Sequence, residues 1–396
     1  KADIIITEIG GTVGDIESLP FIEAIRQFKR KVGEGNVLYI HATLLPYLKA
    51  AKEIKTKPTQ HSVNTLRSLG ITPNMLILRS EQNINKKVKE KISDFCGVDE
   101  KDIIEAVDCN NLFDIIPNLK GQKIDERILK HFKLAKNKEF DISPWEELIT
   151  KINNLKEEIT LTIIGPYVAL HDAYLSIVEA CKHAGYELNK LIKLNWVNSQ
   201  KITVDNLVKE LSNTDGVIIP GGYSNKVPQM ELVALKYLRE NNIPTLGICL
   251  GHELMIIEYF QNVLKIDASS EEFSEDTSKK NIFLKHDKPF IGSYKIDLIK
   301  NSLLNSIYKK ETINERFRFE YAFNRQYLPK FNNQSMVINA IDGELNIPYS
   351  VSDSARDFYL GVQFHPEYQS RPLRAHPIFK AFVSAAINKK NRKEDK

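Results

Sequence analysis

A cysteine between two glycines is the side chain best placed to do chemistry in this sequence. Cys249 follows the apolar run 242–248, precedes the apolar-periodic run 254–263, and has Gly247 and Gly251 on either side. A strand that turns directly into a helix would hold the sulfur on a sharp bend, where the unpaired N–H groups of the helix N-terminus favour the thiolate. A lone cysteine in an apolar stretch is more often a small core residue. The two glycines favour a nucleophile instead.

An imidazole and a carboxylate stand two residues apart far downstream of this cysteine. His365 and Glu367 belong to the run QFHPE at 363–367 and would lie on one face of an extended segment. A thiol, an imidazole and a carboxylate supply a nucleophile, a base and a group that orients the base. We therefore predict that Cys249, His365 and Glu367 form a site for acyl transfer.

These two motifs resemble those of the class I (triad-type) glutamine amidotransferases, whose nucleophile elbow reads G-x-C-x-G and whose partner residues read H-P-E. The resemblance implies that the acyl donor is glutamine. It also implies that Gly222 and Leu250 supply the backbone N–H groups of an oxyanion hole. The resemblance further implies that four residues bind the glutamine substrate, namely Gly222, Glu253, Glu272 and Arg318. Glu272 would contact its α-amino group, and Arg318 would lie near its α-carboxylate.

Length and composition limit the possible classes of protein. The chain has 396 residues, enough for two ordinary domains, and is 42% hydrophobic and 27% charged, as soluble globular proteins are. Its 55 basic and 51 acidic residues are dispersed, which argues against a nucleic-acid-binding role. No apolar stretch approaches the roughly 20 residues that span a bilayer. Four cysteines without paired spacing argue against a disulfide framework or a zinc site and favour a cytoplasmic protein.

The first hundred residues place polar groups where predicted strands end. Residues 3–8 predict a buried parallel strand that ends at Glu8, and a glycine-rich run follows it. Ligands of open α/β sheets bind beyond the carboxyl ends of strands, and glycines let backbone approach them closely. The loop KTKPTQHS at 55–62 places two lysines before a helix, where they would bind polyphosphate. Each feature taken alone also fits an ordinary turn or a solvated loop.

Alternating apolar patterns predict the elements that position these groups. In the first half we predict helices at 16–28, 44–52 and 86–95 and strands at 37–41, 74–79 and 101–108. In the second half a strand at 158–165, a helix at 172–181 and a strand from 216 precede the cysteine motif. The fold class is therefore α/β, with two three-layer domains and mainly parallel sheets. We place the domains at 1–140 and 159–390, with a linker at 141–158 and a polar tail at 391–396.

The runs EIGGTVGDIESLPF at 8–21 and KTKPTQHS at 55–62 together closely resemble the synthetase (amidoligase) domain of the CTP synthase family. With the amidotransferase motifs, the resemblance covers residues 2 to about 388. It implies a P-loop-like amidoligase domain followed by a flavodoxin-like amidotransferase domain. Members use ATP and Mg²⁺ to phosphorylate UTP, displace the phosphate with ammonia from glutamine, are inhibited by CTP and activated by GTP, and assemble as tetramers. The run at 8–21 does not belong to the GMP synthases, so that amidotransferase family is disfavoured.

The resemblance also assigns nucleotide-binding roles, residue by residue. Glu8 matches a magnesium carboxylate, and Arg79 and Asp108 match the edge of the pocket that holds the adenine of ATP. Lysines suit such sites because they neutralise phosphate charge. The residues that match contacts to UTP or CTP are Asp15, Ile16, Glu17, Lys55, Lys57, Gln60 and Lys91.

The sequence departs from this family at three places. It begins abruptly at a predicted strand and has no G-x-x-x-x-G-K-[ST] phosphate loop, so we expect an N-terminally truncated chain that by itself lacks the ATP-dependent step. His252 and Glu253 replace the usual Met-Gln after the nucleophile. The run YSNKV at 223–227 replaces Phe-Gly-x-Arg-Gly, in the region linked with GTP activation. The alternative hypothesis is therefore a catalytically drifted relative that acts as a regulatory or filament-forming subunit.

Overall fold

Apolar, β-branched runs become the strands of separate sheets in the two halves of the chain. The computed structural model describes residues 2–135, 139–223, 226–273, 280–343 and 345–394, with the backbone alone at 171 and 394. The chain divides into two units, Lys1–Thr150 and Lys151–Lys396. Helix α6, Ser143–Asn153, includes the boundary between the units and lies within the linker proposed from the sequence.

The first unit is built on parallel strands in the order β1-β4-β5, and a short hairpin pairs β2 with β3. Its apolar core lies between this sheet and two of the helices, α2 and α3. The strands are β1 Ile40–Leu45, β2 Tyr47–Leu48, β3 Glu53–Ile54, β4 Met75–Ser80 and β5 Ile103–Val107. The remaining helices are α1 Leu19–Val32, α2 Lys57–Ser68, α3 Lys86–Cys96, α4 Ile115–Gly121 and α5 Ile124–His131.

Two predicted elements of this unit are wrong. Residues 3–8 form no strand, and the side chains of Ile5 and Ile6 are 82% and 91% exposed. A β-branched run favours extended backbone, but it becomes a strand only when a neighbouring strand pairs with it. The helix predicted at 44–52 is instead the end of β1 followed by the β2–β3 hairpin, because Pro46 disfavours helical backbone at the residue before it. The other predicted elements of this half are confirmed to within a few residues.

The second unit is organised on one mixed sheet. Its order is β10-β11-β13-β14-β15-β9-β8-β6-β7, with β12 paired to β11; pairing is parallel from β7 to β15 and antiparallel from β15 to β11. The strands are β6 Glu158–Gly165, β7 Leu191–Asn198, β8 Gly216–Ile219, β9 Thr245–Ile248, β10 Ala268–Ser270, β11 Lys280–Leu298, β12 Thr312–Phe323, β13 Met336–Ile341, β14 Pro348–Asp353 and β15 Tyr359–Val362.

Helices cover both faces of the parallel half of this sheet. Successive side chains of a strand point to opposite faces, so Ile163 belongs to one core and Ile164 to the other. Helices α7 and α12 pack in the first core, and α8, α9 and α10 in the second. The helices are α7 Leu175–Glu187, α8 Val204–Leu211, α9 Gln229–Glu240, α10 Leu250–Asn262, α11 Leu303–Tyr308 and α12 Pro377–Glu394. These three layers confirm the predicted α/β class; residues 391–394 of the proposed tail continue α12.

A buried ion pair joins α9 to α10, the helix that begins after Cys249. The Nε and Nη2 atoms of Arg239 each donate a 2.8 Å hydrogen bond to one carboxylate oxygen of Glu258. The side chain of Glu258 is fully buried, and that of Arg239 is 7% exposed. Bidentate geometry of this kind compensates the desolvation of both charges.

In the described part of the chain, no helix is both long enough and apolar enough to cross a bilayer.

Candidate active site

The predicted bend between strand and helix is present at Cys249. Strand β9 ends at Ile248, α10 begins at Leu250, and Cys249 between them has φ 53° and ψ −108°. A Cβ on Gly251 would come within 2.1 Å of the carbonyl oxygen of Ile219, so no larger residue fits there without moving the backbone. The glycine after the cysteine is thus needed for close packing, and the strained cysteine backbone is that of a nucleophile elbow.

The imidazole reaches the cysteine because their strands are neighbours. Strand β15 pairs in parallel with β9, so His365, three residues beyond β15, lies at the same sheet edge as Cys249. Its Nδ1 atom is 2.7 Å from Oε1 of Glu367, which lies in a 3₁₀ turn. The backbone N–H of His365 donates a 2.8 Å hydrogen bond to the carbonyl of Arg316 on β12. The antiparallel half of the sheet therefore fixes the position of the imidazole.

The electrostatics of the pair suit proton transfer. Burial lowers the pKa of His365, but hydrogen bonds to the Cys249 sulfur and to Glu367 outweigh burial and raise it to about 11. Burial raises the pKa of the Cys249 thiol, while the hydrogen bond to His365 and the Leu250 N–H act in the opposite direction. An imidazole held between a sulfur and a carboxylate can take a proton from the thiol and return it to a leaving group.

The two predicted oxyanion donors lie side by side. Gly222 follows strand β8, and a Cβ on it would meet the Leu250 side chain at 3.9 Å. Both residues line a cavity of about 310 Å³ at the carboxyl ends of the central strands. Gly221 is closer still to the chemistry, since a Cβ there would lie 3.0 Å from Cε1 of His365. The oxyanion role of Gly222 and Leu250 remains a prediction.

The residues predicted to bind glutamine also gather around the sulfur. Glu253 is on α10, four residues after Cys249, and is 2% exposed. The carbonyl oxygen of Arg318 on β12 lies 3.7 Å from the Cys249 sulfur, while the Arg318 side chain is exposed. Glu272 is half-buried in the turn after β10, and its charge contributes, after burial, to raising the pKa of Glu253. Ser224 and Asn225 of the altered loop lie outside the described residues.

One feature beside Cys249 was not predicted from the sequence. Gln363 bridges the two residues that depart from the family pattern, with its Oε1 2.7 Å from Nδ1 of His252 and its Nε2 donating to Glu253 at 2.9 Å. All three side chains are buried, and burial lowers the pKa of His252 to about 4. The available signal was the position of Gln363 two residues before His365.

The structure brings together two of the predicted nucleotide-binding residues in the first unit. Arg79 near the end of β4 donates from Nε to Oδ1 of Asp108, just beyond the neighbouring strand β5, at 2.9 Å. Both side chains are largely exposed at the carboxyl edge of the sheet. This position agrees with the general rule for ligand sites in parallel sheets, and the assignment to ATP remains a prediction.

The predicted triphosphate loop joins β3 to helix α2. Lys55 forms an ion pair with Glu53, and Lys57 begins α2 with its side chain exposed. Gln60 lies one turn into the helix and donates to the Thr56 hydroxyl at 3.2 Å. The exposed Lys91 is on another helix, α3.

The remaining candidates precede helix α1. Glu8 is exposed on a stretch without regular structure, so the strand end that would have positioned it is absent. Asp15 accepts a 3.0 Å hydrogen bond from the Thr12 N–H, and Ile16 and Glu17 begin a short 3₁₀ turn. Among the residues described, no three His, Cys, Asp or Glu side chains lie close enough to hold a metal ion. Mg²⁺ in nucleotide sites is usually held by one or two carboxylates together with phosphate oxygens, so the magnesium role of Glu8 stays a prediction.

Comparison with known proteins agrees with the division of the chain into two units. A family model described as "CTP synthase N-terminus" matches residues 1–134, and one described as "Glutamine amidotransferase class-I" matches residues 169–385. The chain is 46% identical to the CTP synthase of Phytoplasma australiense, over 100% of this chain and 74% of that protein. It is 43% identical to the CTP synthase of Bacillus subtilis, over 99% and 75%.

The chain belongs to the CTP synthase family. Among solved structures it is similar to the glutaminase domain of Trypanosoma brucei CTPS, solved with bound acivicin. The two chains are 27% identical with a TM-score of 0.55, and the match covers 58% of this chain and 94% of the other. The family resemblance drawn from the sequence is thereby confirmed, and so are the class I amidotransferase fold of the second unit and the CTP synthase character of the first.

Proposed function

We propose that this CTP synthase chain hydrolyses glutamine at Cys249 and that its first unit binds the nucleotides of the family reaction. In that reaction, ammonia from glutamine aminates UTP to CTP at the expense of ATP, which makes the enzyme a carbon–nitrogen ligase of pyrimidine biosynthesis. The observation that carries the glutaminase assignment is the convergence of Cys249 and His365, which both lie against Gly221, with the imidazole of His365 2.7 Å from Glu367.

The geometry supports a two-step reaction. The Cys249 sulfur attacks the side-chain amide carbon of glutamine, and its proton passes through His365 to the departing ammonia, leaving a thioester. His365 then takes a proton from water, the hydroxide adds to the thioester carbon, and the thiol is restored as glutamate leaves. Glu367 holds the imidazole in the tautomer that this needs. Two backbone N–H groups would stabilise the tetrahedral intermediates, each by roughly 2.7–4 kcal/mol.

An electrophilic glutamine analogue tests the assignment. We expect it to label Cys249 stoichiometrically, to be competed by glutamine, and to fail with Cys249→Ser. Cys109 is the exposed cysteine of the described residues, so Cys109→Ser controls for labelling of any accessible thiol. Release of glutamate from glutamine should follow the same pattern across the variants.

A second candidate is a family member without glutaminase activity. The observation that favours it is the His252-Glu253 pair in place of Met-Gln, because a carboxylate replaces a neutral amide next to the nucleophile. That hypothesis predicts that a small alkylating agent modifies Cys249 while the glutamine analogue does not. Labelling by both reagents would exclude it.

The role of the first unit is proposed from the basic side chains at the start of α2 and near the end of β4. Lys55 and Lys57 at the start of α2 would bind the triphosphate of UTP, and Arg79 with Asp108 would border the adenine of ATP. Since the 396 residues contain no Walker-type phosphate loop, we propose that this chain alone does not phosphorylate UTP. Mg²⁺ would enter with the nucleotide phosphates. Inhibition by CTP, activation by GTP, a tetrameric assembly and a cytoplasmic location are proposed from the family.

A further inference from the structure

Glu253 is buried directly behind the nucleophile. Its backbone N–H donates a 3.2 Å hydrogen bond to the Cys249 carbonyl, so the two residues occupy the same face of α10, one turn apart. The residue is 2% exposed. A carboxyl group in such a place holds a negative charge only when a partner compensates the lost hydration.

The partners of Glu253 satisfy half of its carboxyl group. Gln363 donates to Oε1, whereas Oε2 is buried with no hydrogen-bond partner among the described residues. Gln363 is itself fixed by His252 on its other side. Exchanging the oxygen and nitrogen of the Gln363 amide would alter which group donates to which, but would still leave Oε2 without a partner.

Among the described residues, the titratable groups around Glu253 supply no cation that compensates a charge on it. Cys249, immediately before α10, is an acid, and His252 on α10 is neutral, since burial lowers the pKa of His252 to about 4. His365, whose pKa is raised to about 11, pairs its charge with Glu367 at 2.7 Å. Glu272, from the turn after β10, adds a second carboxylate. Burial and then Glu272 raise the pKa of Glu253 well above its ordinary value, which favours a proton on Glu253.

We propose that glutamine expels this proton when it binds, because its α-ammonium group takes the proton's place between Glu253 and Glu272. The inference rests on the proposed glutaminase function and concerns how the same site recognises its substrate. The step balances as one protonated and one ionised carboxyl group plus a cationic ligand, giving two carboxylates around the ammonium group and one proton released to solvent. Glu253 stands where the family has a neutral glutamine side chain. The affinity of this chain for its substrate therefore depends on pH.

Calorimetry measures the released proton directly. In a Cys249→Ala background, which prevents turnover, L-glutamine is titrated in two buffers of different ionisation enthalpy at several pH values. We expect release approaching one proton per glutamine at low pH, with affinity rising about tenfold per pH unit until Glu253 ionises in the free protein. Glu253→Gln should abolish the release and flatten the pH dependence, as should the double change His252→Met with Glu253→Gln.

Two controls isolate the groups concerned. The ligand 4-carbamoylbutanoate, which lacks the α-ammonium group, should bind weakly and release no proton. Glu210→Gln, an exposed carboxyl change on α8, should leave the release unchanged. Thermal unfolding of each variant verifies that the fold is retained. Alkylation of Cys249 provides a second check in versions of the variants that keep this cysteine.

The possible outcomes distinguish a failure of this inference from a failure of the proposed glutaminase function. Glutamine binding without proton release, or equal release from Glu253→Gln, overturns the inference and leaves the glutaminase assignment intact. Absence of glutamine binding, together with failure of the glutamine analogue to label Cys249, overturns both.

Discussion

Gly221 and Cys249 lie so close together that a Cβ on Gly221 would be 3.2 Å from the Cβ of Cys249. The same added atom would lie 3.0 Å from Cε1 of His365. We expect Gly221→Ala to push the nucleophile and imidazole apart and to lower kcat for glutamate release by about 100-fold, since misplacement of about 1 Å has that effect. Gly343→Ala is the matched control, because its methyl group would have space. Wild-type kcat in Gly221→Ala would contradict the proximity.

Glu367 should matter for turnover more than for substrate binding. Glu367→Gln removes a charge that helps to raise the pKa of His365, and it can present an amide N–H to the ring nitrogen instead of an acceptor. By analogy with the serine-protease triad we expect kcat to fall by roughly 10²–10⁴-fold, with a small change in KM. Steady-state glutaminase kinetics measure both constants. Glu320→Gln, a carboxyl change on the surface of β12, is the control, and a pure KM effect would argue against the orienting role.

His252 should make the folded chain less stable in acid. An unfolded histidine titrates near 6.5, whereas burial lowers the pKa of His252 to about 4. As the pH falls from about 6.5 to 4, only the unfolded state takes up this proton, so the folded state loses up to about 3 kcal/mol that is fully present above pH 6.5. We expect His252→Met to flatten the fall in urea-unfolding free energy across this window. The exposed His61→Met should not change it, and parallel curves for wild type and His252→Met would refute the assignment.

The buried pair between α9 and α10 should be a large determinant of stability. Glu258→Gln leaves the Arg239 guanidinium buried beside a neutral amide, which costs about 3–5 kcal/mol. For a unit of this size the thermal midpoint should fall by about 10 °C, measured by calorimetry. Glu157→Gln breaks an ion pair at an exposed site and should shift the midpoint little. Equal shifts in the two variants would show that burial of the pair is unimportant.

The loop at the start of α2 should bind nucleotide through charge. We expect Lys57→Met to weaken UTP binding by about 10-fold and to reduce its salt dependence, since one phosphate contact is removed. Glu53→Gln should strengthen binding, because it releases Lys55 from its ion pair. Fluorescence or calorimetric titrations at two ionic strengths measure both effects. The exposed Lys49→Met controls for net charge, and an identical effect there would show that the loop has no special role.

The sequence is most informative where short-range chemistry dictates structure. The glycines around Cys249 require a close approach of backbone, and the H-P-E run requires an extended segment, so both could be interpreted locally. Residues 3–8 mislead because a β-branched run states a preference for extended backbone but not whether a partner strand exists. The bridge from His252 through Gln363 to Glu253 joins positions 110 or 111 residues apart, and no local pattern encodes such a contact. The pairing of His365 with β12 is hidden for the same reason.

The backbone at Cys249 has a consequence for the protein as a whole. Its positive φ is a conformation that a residue with a Cβ adopts at a cost of roughly 1–3 kcal/mol. Glycine alone would relax there, and glycine carries no sulfur. The residue that best fits this backbone conformation is therefore one that could not act as a nucleophile. Cys249 occupies the position at a cost in backbone strain.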